Sequence, residues 1–450
     1  MAGARREGDA DRGGARAGLS GLTTRGRSFL AAGVAAVGCA YVLGQAELLR
    51  VGILLLVLPL ICVLALYRTR HRVDAARSLG PDRVPAGTES RVRLRLQNPT
   101  RLPTGMLMLQ DRVPYVLGPR PRFVLDRVEG GGRREVSYRV RSDLRGRYPL
   151  GPLQLRLADP FGLVELTRSF RAHDVLTVVP RTEPLAPTRL TGESGGQGEG
   201  GARTLALAGE DDMIPRGYRR GDDLRRVHWR STAKYGELMV RREEAPRRNR
   251  ATVLLDTRGG GYDGAGPDSA FEWVVSAAAS TLLHLLERGF TVRLLTDTGL
   301  RIPEEGASGA LGGGSESAET AGLLLEALAV VDHSEGEDLA PALEALRGAD
   351  PGVLIAFLGD LDAGQAEQVA RMRRRGGAAL AFVLDPADWG GEVDPTELGF
   401  LTPEERARRL REAGWTVVPV VRGTVFGDAW RAAGEGAGVT AGARGTGGAV

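Results

Sequence analysis

Two apolar runs, residues 29–43 and 48–66, are separated only by Gly44, Gln45, Ala46 and Glu47, and they leave this chain few ways to begin. About 20 apolar residues cross the roughly 30 Å hydrocarbon core of a bilayer as a helix. The second run reaches that length, and the first reaches it with its flanks. A turn this short forces the two helices to run antiparallel, which predicts a transmembrane hairpin over residues 28–67. Arg25 and Arg27 precede the pair, and Arg68, Arg70, His71 and Arg72 follow it. Basic flanks on both outer ends put both ends in the cytoplasm and the turn outside. Residues 1–27 are then a cytoplasmic tail, the soluble domains are cytoplasmic, and Arg50 snorkels to the headgroups near the outer turn. The competing reading is a signal peptide cleaved near Ala46, with the second run as a single span. The flanking arginines favour the multi-pass hairpin in the inner or plasma membrane.

A chain of 450 residues leaves room for two or three domains with real cores. All but one of its 60 basic residues are arginine, the exception being Lys234, yet the formal net charge is only +4. Acidic residues are spread through the same segments, so no concentrated basic face is expected and no nucleic acid partner. Cys39 and Cys62 lie inside the apolar runs, far from any His or Asp cluster, which excludes a disulfide framework or zinc site on spacing.

Residues 79–181 alternate apolar and polar positions with period two, as in 91–96, 135–140, 153–157 and 175–179, between turn signals such as Asn98-Pro99 and Asp159-Pro160. This predicts an all-β sandwich-like domain. Asp159-Pro160-Phe161-Gly162 reads as a structural turn whose Phe161 plugs the core. Residues 182–208 are rich in Gly, Thr and Pro and read as a flexible linker.

From residue 250 the pattern changes. Continuous apolar stretches at 251–256, 291–296, 353–359, 378–384 and 415–421 alternate with helical periodicity at 269–288, 317–331, 339–347, 363–375 and 403–413. A parallel sheet covered on both faces is expected over residues 250–432, with a disordered tail at 433–450. Asp256, Asp297, Asp360 and Asp385 each follow an apolar strand directly, so they should gather along the carboxyl edge, where open α/β sheets bind ligands.

Between the linker and that domain, residues 209–248 hold the most distinctive block of the chain. Tyr218, Arg219, Arg220, Gly221, Asp222, Arg225, Arg226, His228, Trp229 and Lys234 crowd charge beside aromatics in a way no linker composition does. The core Tyr218-x-x-Gly221-Asp222-x-x-Arg225-x-x-x-Trp229 resembles the signature of a bacterial family known as domain of unknown function 58. Asp159-Pro160-Phe161-Gly162-Leu163, shortly after Arg145-Gly146-Arg147-Tyr148, fits the same family, and the resemblance runs from about Ser28 to Asp385. Two readings of the block stay open. In one it is an ion-paired brace with Trp229 packed on the α/β domain; in the other its arginine edge and Trp229 are a docking face, since Arg and Trp lead among interface hot spots.

The opening Val-Leu-Leu-Asp of the parallel sheet resembles a von Willebrand factor A domain, a Rossmann-like fold that the family resemblance also implies. Such domains hold Mg²⁺ on Asp-x-Ser-x-Ser, whose hydroxyls complete an oxygen shell. Here the residues are Asp256-Thr257-Arg258-Gly259-Gly260, so Arg258 and Gly260 stand at the two Ser positions. A guanidinium repels a dication and glycine offers no side-chain oxygen, while Thr257 and Asp263 sit at the wrong offsets. The expectation is a degenerate site, with Asp256 paired to Arg258, Asp360 left over and no metal bound.

No catalytic constellation is evident. His284 lies in an apolar helix and reads as a packed histidine, His228 has no Cys partner, and Ser231 and Thr232 are close to it only in sequence. Gly259-Gly260-Gly261 lacks the Lys-Ser/Thr of a phosphate loop. The resulting expectation is a membrane-anchored, non-enzymatic adaptor without cofactor. The resemblance implies a MoxR-type AAA+ ATPase as partner, with a transglutaminase-like membrane protein as a further candidate, in envelope-related or protein-assembly tasks. The alternatives are a Mg²⁺-dependent ligand binder using Asp256 and Asp360, and an enzyme at the Asp-lined edge.

Overall fold

The computed structural model describes residues 21–70, 73–99, 101, 103–159, 161–188, 215–217, 229, 232–233, 236–241, 250–303, 314–347, 351–374, 377–390 and 399–442. The chain divides into two compact units, Met1–Arg181 and Thr182–Val450.

In the first unit, helix α1 spans Thr24–Leu43 and helix α2 Ala46–Arg70. Both are long and apolar enough to cross a membrane. The turn between them is tighter than the four polar residues suggest. Gly44 caps α1 with φ +65° and donates its N–H to the Ala40 carbonyl, so Ala46 and Glu47 already belong to α2. The helices approach closely at two glycines. A Cβ on Gly33 would lie 2.8 Å from Leu56 Cγ, and one on Gly52 would lie 2.8 Å from the Val37 side chain. Small residues at such a crossing let helix backbones approach closely. Arg50 is exposed and pairs with Glu47 at 2.7 Å.

Ten strands follow: β1 Asp74–Gly80, β2 Arg83–Pro85, β3 Glu89–Gln97, β4 Leu107–Asp111, β5 Arg122–Leu125, β6 Arg133–Arg141, β7 Gly146–Leu150, β8 Leu153–Ala158, β9 Glu165–Phe170 and β10 Asp174–Val179. They form sheets ordered β1-β3-β6, β2-β10-β7 and β5-β4-β8-β9, nearly all antiparallel. In β3, Val92, Leu94 and Leu96 face the core while Arg91, Arg93 and Arg95 face out. All three sheets contribute to one apolar cluster, which also takes in Leu22, Cys62 and Leu66 from the helical segment. Beneath it lies a buried ionic knot. Arg77 holds Asp111 with two hydrogen bonds of 2.6 and 3.0 Å and reaches Asp174 at 3.0 Å, while the Tyr138 hydroxyl donates to Asp111 at 2.6 Å.

The expectation for Phe161 is corrected. It is 60% exposed, and the fully buried plug of that turn is Leu163. Asp159 builds the turn by accepting from the N–H groups of Phe161 and Val164.

In the second unit, β11 Pro215–Gly217 pairs antiparallel with β12 Met239–Arg241. Then come β13 Arg250–Leu255, α3 Ala270–Glu287, β14 Thr291–Thr296, β15 Arg301–Ile302, α4 Gly314–Val330, α5 Ala340–Leu346, β16 Val353–Leu358, α6 Ala363–Met372, β17 Ala379–Leu384, α7 Pro403–Glu412, β18 Thr416–Val420 and α8 Phe426–Gly442. They build a six-stranded sheet ordered β15-β14-β13-β16-β17-β18. It is parallel except for the edge strand β15. Val253 and Leu255 pack with α3, α4 and α8 on one face. Leu254 packs with α5, α6 and α7 on the other. Fully buried strands between two helical layers are why the sequence reads as continuous apolar runs rather than alternation.

Two boundaries differ from the sequence reading. Residues 182–188, expected as the start of a free linker, lie along the helices instead: the Glu183 N–H donates to Ser280, and Trp430 Nε1 donates to the Ala186 carbonyl at 3.0 Å. The expected tail from residue 433 begins inside α8, which continues to Gly442 with Ala433 buried.

Candidate functional site

The five parallel strands of the large sheet run 2-1-3-4-5 in space, so the order reverses between β13 and β16. Loops leaving neighbouring strands part in opposite directions at such a point and open a crevice at the carboxyl edge. In this chain the crevice is filled from within.

Asp256, the first residue after β13, is fully buried. Its carboxylate takes a bidentate grip from Arg258, with Nε to Oδ1 at 2.9 Å and Nη2 to Oδ2 at 2.7 Å, and the N–H groups of Arg258 and Gly359 complete its shell. Arg258 is buried as well and spends a further bond on the Asp360 carbonyl at 3.0 Å. The expected Asp256–Arg258 pair is therefore present. A short turn at Gly259–Gly261 then folds the loop back over the edge. Gly359 allows this approach, since a Cβ there would overlap the Gly261 carbonyl. Gly260, by contrast, faces open space. Tyr262 closes the loop by donating to the Asp256 carbonyl at 2.9 Å, and burial beside Asp256 pushes its hydroxyl well above the usual tyrosine range.

Asp297, after β14, is engaged on the other side. It accepts from the Thr257 N–H at 2.9 Å, from the Thr257 hydroxyl, and from the Ser334 hydroxyl at 2.6 Å. Thr257 is thus committed to a neighbouring carboxylate. Asp360, after β16, pairs with Arg406, a fully buried residue of α7 that also donates to the Gly359 carbonyl. Burial pushes the Asp360 carboxyl up to about 6, against the downward pull of Arg406 and helped by Asp385 and Asp263. Asp385, after β17, is half-buried and likewise raised by burial. The four expected aspartates do line one edge. Three of them are consumed by internal partners, and among the described residues no group of three or more His, Cys, Asp or Glu could hold a metal ion.

Arg406 and the Thr257–Asp297–Ser334 set escaped the sequence reading. One signal for Arg406 was available: it lies four residues before the buried Leu410, on the apolar stripe of its helix. The Ser334 contact had none, because it depends on a loop far away in sequence.

The signature block is only partly visible. Tyr218, Arg219, Arg220, Gly221, Asp222, Arg225, Arg226, His228 and Lys234 lie outside the described residues. Its two ends are tied by the β11–β12 ladder, with Pro215 opposite Arg241. Trp229 is 72% exposed, which goes against the brace reading's placement of it on the α/β domain. His284 is the packed histidine expected, edge-on to Trp430 at 5.5 Å, and burial lowers its pKa.

Comparison with known proteins agrees on the family. The uncharacterised protein YeaD of Bacillus subtilis is 24% identical over 238 residues, covering 50% of this chain and 56% of the relative. The match thus spans little more than half of that curated relative's length. Among solved structures, a CARDB domain from Pyrococcus furiosus is 13% identical over 24% of this chain and 93% of its own length, with a TM-score of 0.17. The sporulation control protein Spo0M of Bacillus subtilis is 13% identical over 24% of this chain and 49% of its own, with a TM-score of 0.16. Residues 215–388, from the signature ladder through the carboxyl edge of the sheet, match the model of the protein family of unknown function DUF58, and this match supports membership of that family.

Proposed function

We propose that the chain is a membrane-anchored, non-enzymatic adaptor. Its hairpin holds both units on the cytoplasmic face of the inner or plasma membrane, and its α/β unit is a von Willebrand factor A-like module whose ligand crevice is closed. The observation that carries this reading is the buried bidentate pair of Asp256 and Arg258 at the sheet's reversal point. A guanidinium there supplies the positive charge that a dication would otherwise bring, and it leaves no coordination position for a ligand's carboxylate. With the crevice closed, binding falls to exposed surface, of which the signature ladder with Trp229 is the strongest candidate. The family resemblance supplies the partner class, a MoxR-type AAA+ ATPase, with a transglutaminase-like membrane protein beside it, and with it the envelope-related or protein-assembly setting.

Two measurements test this. Affinity capture of the full chain from membranes, followed by mass spectrometry, should recover an AAA+ ATPase, and Arg219→Ala with Arg220→Ala should reduce that recovery without lowering Tm. Capture without any AAA+ ATPase would overturn the partner. Millimolar Mg²⁺ should leave Tm unchanged, because only a ligand that binds the native state stabilises it. A Mg²⁺-dependent rise that Asp256→Ala removes would make the chain a metal-dependent binder instead.

A further inference from the structure

The Asp159–Leu163 turn is built against the start of the first apolar helix. Thr23, the residue that caps α1, donates its hydroxyl to the carbonyls of Gly162 at 2.7 Å and Leu163 at 3.0 Å, and its N–H to Leu163 at 2.9 Å. Leu22 and Val164 form a bridge, and the Glu165 N–H donates to Gly21 at 2.8 Å. Gly26, one turn into the helix, lies so close that a Cβ would overlap the Leu163 carbonyl. Leu58, Cys62, Val63 and Leu66 of α2 join the β core at the same end.

This seating leaves the helices short. Residues 31–43 of α1, beyond the part packed on the β core, measure about 20 Å at about 1.5 Å per residue, against a hydrocarbon core of about 30 Å. Only the whole of α1, about 30 Å for its 20 residues, matches that thickness. The end of the β unit that grips Thr23 and Gly26 is therefore at headgroup depth. That end is apolar where a water-facing end should not be. Phe161 is 60% exposed and Met106, whose carbonyl accepts from the Ala158 N–H beside the turn, is 55% exposed. Arg25 and Arg27 are exposed in the first turn of the helix this turn grips, with no acidic partner among the described residues, and a Cβ on Gly162 would lie 3.9 Å from Arg25 Nη1.

We propose that the Asp159–Leu163 turn is a lipid-contacting foot: Phe161 and Met106 sit at the boundary of headgroups and acyl chains, and Arg25 and Arg27 bind anionic phospholipid headgroups. Apolar side chains beside arginines are the composition that holds interfacial segments on anionic bilayers. The inference rests on the reading of the two helices as membrane spans. It also accounts for the Asp-Pro-Phe-Gly turn, whose aspartate, glycine and leucine shape it while its phenylalanine faces outward.

All five native tryptophans lie after residue 228, so the emission added by a tryptophan in the first unit, read against the parent protein, reports on a single place. The full chain carrying Phe161→Trp, Leu54→Trp or Tyr115→Trp would be reconstituted into vesicles of phosphatidylcholine and phosphatidylglycerol, some with acyl chains brominated near the headgroup. Leu54 is an exposed residue of α2, and Tyr115, 92% exposed, lies beyond the opposite end of β4 from Met106. Bromine should quench the added fluorescence at positions 161 and 54 at least twofold and leave position 115 unchanged. Omitting phosphatidylglycerol, or adding Arg25→Gln and Arg27→Gln, should reduce the quenching at position 161 only. Quenching at 54 without quenching at 161 would overturn the foot while leaving the spans in place. No quenching at either would overturn the membrane reading itself. Quenching at 161 that ignores headgroup charge would overturn the role given to the arginines.

Discussion

Arg258 and Asp256 form a pair that neither member can leave alone. Both are buried, so Arg258→Ala should strand a carboxylate and cost about 3–5 kcal/mol, as breaking buried ion pairs does. Gly260→Ser, which points into open space, should stay within about 0.5 kcal/mol. Denaturant unfolding of the two variants in detergent checks both, and equal effects would mean that the pair contributes nothing special. Trp229, being exposed, belongs with Gly260: Trp229→Ala should change stability by less than about 0.5 kcal/mol. Asp360 adds a pH signature. Its folded carboxyl is raised from 3.8 to about 6, so the folded state binds the proton more tightly than the unfolded chain. The resulting stabilisation is complete below about pH 4 and is lost as pH rises through about 6. Asp360→Asn cannot titrate, so the stability of the parent relative to this variant should fall between pH 4 and pH 7. A constant difference across that window would refute the shift.

At the scale of elements, glycines decide the packing of the hairpin. Gly26, Gly33 and Gly52 each touch backbone or side chain where a Cβ would go, whereas Gly38 faces open space. Gly26→Ala should loosen the first helix from the Asp159–Leu163 turn and, like Gly52→Val, lower Tm by several degrees. Gly38→Ala should leave Tm unchanged or raise it slightly, because alanine favours the helix. A Gly26→Ala protein with parental Tm would show that the turn is not clamped to the helix. Strands β3, β6, β8 and β10 were legible because alternation marks a half-buried strand. Strands β1, β2, β4, β5, β7 and β9 were not: Asp-Ala-Ala-Arg-Ser-Leu-Gly in β1, for one, has weak strand preference, and its seven-residue register with β3 holds it in place.

For the whole molecule, the hairpin makes a prediction about sidedness. Arginines at both outer flanks should keep both ends of the chain on one side, so reporters fused at Met1 and after Val450 should both behave as cytoplasmic. Extracytoplasmic activity from the fusion after Val450 would place the soluble units outside and remove the adaptor reading with its cytoplasmic partner. Loss of the hairpin should also release the protein from membranes, a separate readout by fractionation.

Local pattern alone determined much of this protein. Two apolar runs around a four-residue turn admit little but a hairpin, and apolar runs alternating with amphipathic stretches admit little but a covered parallel sheet, because hydrophobic period and length are local properties. Even the Asp256–Arg258 pair was legible, since its partners are two residues apart. Tertiary structure alone decided which side chains close the carboxyl edge and which are left exposed. Arg406 reaches Asp360 across 46 residues, and Ser334 reaches Asp297 across 37. Phe161 faces out while Leu163 faces in, where its carbonyl meets Thr23, 140 residues away in sequence. Those outcomes depend on contacts between segments distant in sequence, whose geometry exists only once the chain has closed around its cores.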